Sequence, residues 1–327
     1  MVRVLSGIQP TGDVQLGNYL GAIRLWARDQ HVQDSFFCVV DLHALTVDHD
    51  PTVLADKTRE TAAVLMAAGL DPDVCTLFVQ GHVPQHTELS WILECTASFG
   101  ELRRMTQFKE KSQGGQEGVR VGLFTYPVLQ AADILIYDAD RVPVGDDQRQ
   151  HVELCRDLAL RFNHRYGDTF RVPEPAIPEV GARVMDLQEP TVKMSKSRSS
   201  PLGKVDVLEA PESIVRKIKR AVTDNDGEVV YDPRRKPGVS NLLELLAVST
   251  GARPQDLAGR YTQYGPLKAD TAEAVVELLR PLQARFAELS GDPAELDTLL
   301  AKGATKAEAV AAATLARARD AVGLLRR

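Results

Sequence analysis

The chain has little cysteine, and what it has is scattered. Its four thiols, Cys38, Cys75, Cys95 and Cys155, include no pair at CxxC spacing and none beyond position 155. Neither a zinc site nor an iron–sulfur cluster is therefore signalled. They read as reduced and mostly buried thiols, Cys38 and Cys75 in strand-like runs, Cys95 and Cys155 in amphipathic ones. Long apolar runs are also missing. The longest, "AAVLMAAGL" at 62–70, is far short of the roughly 20 residues that span a bilayer, and "MVRVLSGIQP" lacks the apolar region of a signal peptide. Together these predict a cytoplasmic protein with no membrane partner. Nor is positive charge in excess. A net charge of −6 excludes a surface coated in basic residues, but a nucleic-acid partner needs only a local patch. Candidate patches are "RKIKR" at 216–220, "RRK" at 234–236, and the C-terminal segment, where Lys306, Arg317, Arg319, Arg326 and Arg327 face only Glu308 and Asp320.

What is present is ordinary globular sequence: 327 residues, 44% hydrophobic and 26% charged, enough for two domains and a large core. The first 187 residues alternate short apolar runs with amphipathic ones. Strands are predicted at 2–6, 35–42, 75–80, 141–145 and 182–187, and their near-continuous apolar character suits strands buried on both faces. Between them, Pro51 and Gly69 bracket a helix, and Val152, Leu154, Cys155, Leu158, Ala159 and Phe162 make one stripe over 147–162. Such alternation predicts an α/β fold, a Rossmann-like doubly wound parallel sheet. The three-proline stretch at 172–181 reads as a loop. After 187 the pattern turns helical, with helices expected at 212–222, 240–249, 268–289, 293–302 and 305–325. The division expected is a catalytic domain over 1–187, completed by the C-terminal helix 305–327, and an all-helical domain over 188–304.

Two stretches carry chemistry. "SGIQPTGDVQLGNYLGA" follows the first strand and opens the first helix near Asn18. In a parallel sheet that turn faces the carboxyl ends of the strands, where ligands bind. Its four glycines let backbone approach a ligand, and helix amides favour anions, although the pattern is neither GxGxxG nor a P-loop. "TVKMSKSRSS" at 191–200 sets two ammonium groups three positions apart among serine hydroxyls. That composition suits a mobile polyphosphate; alone, it would also suit a solvated loop.

"PTGDVQLGN" resembles the first signature of the class I aminoacyl-tRNA synthetases, and "KMSKS" at 193–197 matches their second residue for residue. With "MTQFKEKS", "TYPVLQAADIL", "VPVGDDQRQH" and "GVSNLL", the resemblance narrows to the tryptophanyl-tRNA synthetase family and covers nearly the whole chain. It implies that Lys193 and Lys196, with Ser195 and Lys111, stabilise the charge that develops as pyrophosphate leaves ATP, an electrostatic role. Gln9, Pro10, Thr11, Gly17 and Asn18 would line the ATP site, Gly145, Asp146 and Asp147 would hold its ribose, and Val184 would offer backbone to adenine. Met194 and Ser197 complete the nucleotide loop. Gln15 stands where the class signature has His, and an altered phosphate contact is expected there. Mg²⁺ would arrive on the ATP phosphates, with no protein metal site.

For the amino acid, the resemblance assigns Asp133 to the indole N–H. A carboxylate in the apolar "QAADILIY" is expensive to bury unless something donates to it, and such a site rejects phenylalanine by leaving that carboxylate unpaired. An Asp paired to an arginine or capping a helix is the structural alternative. Tyr126 and Gln148 would hold the ammonium, with His43 nearby. Leu5 and Gln130 replace the Phe and Met familiar at two pocket positions. Because tyrosyl enzymes also carry Gln in that part of the helix, a tyrosyl-tRNA synthetase is the enzymatic alternative. A non-catalytic tryptophan- or RNA-binding paralogue is the other. The implied partners are L-tryptophan, tRNA(Trp) and a second copy of the chain.

Overall fold

The computed structural model describes residues 1–111, 120–145, 148–176, 183–195 and 199–326, with the side chains of 107, 110, 111 and 175 outside the description. Five strands among them form one sheet: β1 Arg3–Ile8, β2 Asp34–Val39, β3 Thr76–Val79, β4 Arg141–Pro143 and β5 Glu174–Ala176. Their order is β3-β2-β1-β4-β5, and every pairing is parallel. The chain thus reverses its direction of growth between β1 and β4, which makes the carboxyl ends of those strands the switch point at which doubly wound sheets bind ligands.

The helices of the first half are α1 Leu16–Asn18, α2 Arg24–Asp29, α3 Asp41–Ala44, α4 Pro51–Ala67, α5 Gln85–Glu94, α6 Phe99–Arg104, α7 Thr106–Lys111, α8 Val121–Leu135 and α9 Arg149–Tyr166, with a π turn at Tyr19–Ile23 joining α1 to α2. Local signals explain their ends. Asp50 accepts from Thr52 N–H at 2.8 Å ahead of Pro51, an N-cap with proline in the first turn. Gly69, at φ +106°, ends the same segment where an L side chain would be strained. Ser98 and Glu101 close a capping box at α6.

The second half is helical: α10 Pro211–Lys219, α11 Pro237–Thr250, α12 Pro254–Ala258, α13 Tyr264–Gly291 and α14 Pro293–Ala321. Two apolar clusters flank the sheet. One joins Phe37, Val39 and Leu77 to α4 and to Leu242, Leu246 and Val275 of α11 and α13. The other joins Phe36, Cys38 and Phe78 to α5, α8 and α9 and to Ala307 and Ala311 of α14.

Three expectations are corrected. The run 182–187 is not a strand of the sheet. Its described part makes a single antiparallel bridge, Met185 to Lys193, and its apolar character reflects Val184 and Leu187 buried against the C-terminal helices. The fifth strand comes instead from the stretch read as a loop. Glu174–Ala176 lies at the sheet edge, where a strand pairs on one side only and proline is tolerated. Third, 293–302 and 305–325 belong to one helix, α14, which runs through Gly303 because a glycine is needed there: a Cβ would sit 1.7 Å from the carbonyl oxygen of Leu77 in β3.

Candidate active site

A cavity of about 500 Å³ opens at the switch point. Its floor is the carboxyl end of β1, from Leu5 to Ile8, with Cys38 of the neighbouring β2 and Val40 just beyond that strand. One wall is α8. Tyr126, Gln130, Asp133 and Ile134 recur at four, seven and eight residues, the spacing that places side chains on one helical face, and all four line the cavity. The opposite wall is Asn18, Ile23 and Trp26, and the rim carries Gln9, Thr11, Gly145 and Gln148. His43 enters from α3. Sequence-predicted residues from both ends of the ligand, the ATP set and the tryptophan set, therefore meet in one space.

Asp133 is the chemical centre of this wall. It is 4% exposed and makes three short hydrogen bonds with three side chains: Nε2 of His43 lies 2.8 Å from Oδ2, while Nε2 of Gln80 and Nδ1 of His86 each lie 2.7 Å from Oδ1. Burial opposes the charge, but the hydrogen bonds from His43 and His86 outweigh it and hold the carboxyl well below the usual carboxylate range. The aspartate is thus kept ionised by the protein itself, through two histidines and an amide and not through an arginine or a helix end. Tyr126 donates or accepts at 2.8 Å with Nε2 of His151, and burial pushes its hydroxyl up to about 12. His43 is held in place from below. The Asp41 carboxylate accepts from the Gly81 amide at 2.8 Å, and Gln80 Oε1 accepts from the Leu42 amide at 3.2 Å. A Cβ on Gly81 would meet Asp41 Oδ2 at 2.7 Å, so a side chain there would displace the carboxylate that ties the ends of β2 and β3 together.

The Lys/Ser loop is anchored beside the first signature. Met194 N–H donates to Val184 O at 3.1 Å and Asp186 N–H to Val192 O at 2.9 Å, forming a narrow antiparallel ribbon about the Met185–Lys193 bridge. Asn241, 3% exposed, grips that ribbon with both ends of its amide, accepting from Met185 N–H at 3.0 Å and donating to Met185 O at 3.1 Å. Met194 is buried, and a Cβ at Gly17 would lie 3.8 Å from its Cβ and 3.7 Å from that of Val184. The two signature stretches, far apart in sequence, are in van der Waals reach of each other.

The family model for class I tRNA synthetases (W and Y) matches residues 1–280. A curated tryptophan–tRNA ligase of Streptomyces coelicolor is 57% identical, the match covering 99% of this chain and 98% of that one. The chain belongs to the tryptophanyl-tRNA synthetases. Among solved members of the family, the tryptophanyl-tRNA synthetase of Mycoplasma pneumoniae matches with a TM-score of 0.91 at 35% identity, covering 99% of this chain and 98% of that one. The Campylobacter jejuni enzyme, solved with ADP and tryptophan, matches at 0.87 and 33%, covering 99% and 100%.

Not every residue that the resemblance implied reaches the cavity. Pro10 and Gln15 are buried behind it, and Gln15 makes an antiparallel bridge with Asp206 while its Oε1 has no hydrogen-bond partner. Val184 is buried, its carbonyl already accepting from Met194. Lys193 is exposed and Ser195 half-buried, with the Ser195 amide donating to Ser199 Oγ at 3.0 Å. Asp146, Asp147, Lys196 and Ser197, and the side chain of Lys111, lie outside the described residues. The basic patches are partly consumed internally. Lys217 and Lys236 are each 8% exposed and ion-paired, to Glu209 and to Asp224 and Asp226. Arg317, Arg319 and Arg326 pair with Asp138, Glu88 and Asp320. Sequence reasoning missed Gln80, His86, Tyr137 and His151. A buried aspartate in an apolar helix called for donors but could not name ones lying 47 and 53 residues away.

Proposed function

We infer that this chain joins L-tryptophan to ATP, forming tryptophanyl-adenylate and pyrophosphate, and then passes the tryptophanyl group to the terminal ribose of tRNA(Trp). The observation that carries this reading is the ionised Asp133 buried in the wall of a cavity that the first signature loop also lines. An indole presents one polar edge, its N–H, and an ionised acceptor in an apolar wall selects for it.

The tryptophan carboxylate attacks the α-phosphorus, so no protein nucleophile is required and catalysis rests on positioning and charge stabilisation. In this reading Tyr126 and Gln148 receive the ammonium. Gln9, Thr11, Asn18 and Gly145 border the nucleotide, and Lys193, Lys196 and Lys111 neutralise the departing pyrophosphate, with Mg²⁺ entering on the ATP phosphates. Residues 188–304 form the tRNA-facing helical part. There Arg216, Lys219, Arg220, Arg234 and Arg235 are exposed and supply phosphate contacts. Trp91 of α5, Phe99 of α6 and Val121 of α8 are 67%, 69% and 75% exposed, and a second copy of the chain would cover them. No described helix is long and apolar enough to cross a membrane, which accords with action in the cytoplasm.

The test is ATP–pyrophosphate exchange with tryptophan and tyrosine side by side, without tRNA. Exchange driven by tryptophan is expected. Exchange driven by tyrosine alone would make Gln130 the better guide to specificity, and silence with both would favour a binding paralogue.

A further inference from the structure

Behind the tryptophan-facing wall lies a buried relay that the reaction itself does not call for. Tyr137 is fully buried on the turn after α8, its hydroxyl 2.7 Å from Nε2 of His86. His86, also fully buried on α5, is 2.7 Å from Asp133 Oδ1 through Nδ1. Burial pushes the Tyr137 hydroxyl far above its ordinary value, so it stays protonated and can donate. The hydrogen-bond directions then follow. Tyr137 O–H donates to His86 Nε2, which leaves the imidazole proton on Nδ1, and His86 Nδ1–H donates to Asp133. Neither residue lines the cavity.

The count of acceptor positions decides what this does. A carboxylate oxygen accepts about two hydrogen bonds. Oδ1 has both, from His86 and from Gln80 at 2.7 Å. Oδ2 has one, from His43, the only one of the three donors that lines the cavity. One position remains, on the oxygen beside the cavity.

Resting on the tryptophan-activating reading above, we propose that His86, set in its tautomer by Tyr137, is a specificity-determining positioning residue. It saturates and orients Oδ1 so that the single vacant acceptor position of Asp133, on Oδ2, meets the indole N–H. Without it the carboxylate can rotate, and an oxygen meant for the substrate is spent elsewhere.

The experiment measures kcat/KM in tryptophan-dependent ATP–pyrophosphate exchange for tryptophan and for β-(3-benzothienyl)alanine, which has sulfur in place of the N–H. The ratio isolates the N–H contact. In His86→Leu the ratio falls about tenfold, the loss of one charge-assisted hydrogen bond's geometry, while the KM for ATP holds. His86→Asn keeps a donor near the Nδ1 position and restores most of the ratio. Tyr137→Phe keeps the ring packing against Phe36 and Phe78 and lowers the ratio by a smaller factor. A ratio unchanged in His86→Leu overturns the proposal, as does an equal loss in His86→Asn. Should His86→Leu fail to fold, an unchanged ratio in Tyr137→Phe overturns it. A wild-type protein silent with tryptophan would refute the functional reading instead, so the two failures are distinct.

Discussion

Gly303→Ala should destabilise this protein, against the sign that helix propensity predicts. In an exposed helix interior alanine gains up to about 1 kcal/mol over glycine. Gly303 sits in α14 where that helix crosses β3, and an ideal Cβ there would lie 1.7 Å from Leu77 O and 2.8 Å from Leu77 C. The obstruction is backbone, so no rotamer change relieves it. A normal carbon–oxygen contact of about 3.3 Å requires α14 to retreat by roughly 1.5 Å, pulling Ala307 and Ala311, both fully buried, away from the sheet. Overpacking of this kind costs typically 1–3 kcal/mol and more where backbone must move. Set against the propensity gain, the net loss is about 2 kcal/mol, or roughly 3 °C in Tm for a chain of this size. Differential scanning fluorimetry on the wild type and the variant reads this directly. Gly265→Ala is the control, because no atom lies within 4 Å of its Cβ position and it is exposed in α13; it should hold or raise Tm. If Gly303→Ala melted at or above the wild-type temperature, the close docking of α14 on β3 would be refuted.

Other consequences concern the site. Asn241→Leu strands both the amide and the carbonyl of Met185, and should cost about 2–4 kcal/mol for two groups left unsatisfied. Chemical denaturation measures the cost, and exchange activity should fall with it because the Lys/Ser ribbon loses its clamp. Lys196→Ala should slow adenylate formation by about a hundredfold, as for loss of one charge-stabilising donor, with little change in tryptophan affinity; single-turnover rates and equilibrium binding separate the two, and equal losses would remove Lys196 from its role. Away from the site, Arg161 bonds Glu101 in bidentate fashion and draws its carboxyl down to about 2 from 4.5. A depressed folded value means stability that is present above pH 4.5 and lost as pH falls towards 2. Glu101→Gln should therefore be less stable than wild type near neutrality, by about 1 kcal/mol after solvent screening of this half-exposed pair. In urea melts the gap should narrow to roughly half or less on moving from pH 6 to pH 3, and close only towards pH 2.

Much of this was written in local sequence. Strands β1 to β3 announce themselves as apolar runs because, being buried on both faces, they need no polar alternation. The face of α8 is legible from spacing alone: Tyr126, Gln130 and Asp133 had to fall together on any helix drawn through them. The two signature stretches carried family and chemistry because polyphosphate binding constrains residue type at fixed local spacing.

What tertiary structure alone decided is everything that depends on a partner distant in the chain. Whether a proline-rich stretch is a strand depends on its being at a sheet edge, which is a property of strand order and not of Glu174–Ala176 themselves. The segments 293–302 and 305–325 read as two helices until β3 is brought against Gly303, where the missing Cβ lets one continuous helix pass. The buried Asp133 demanded donors, but only folding chose Gln80 after β3 and His86 on the neighbouring α5, and set Tyr137 behind His86. Periodicity fixes which way a side chain points along its own element, whereas the group it meets there is set by long-range packing, which leaves no local trace.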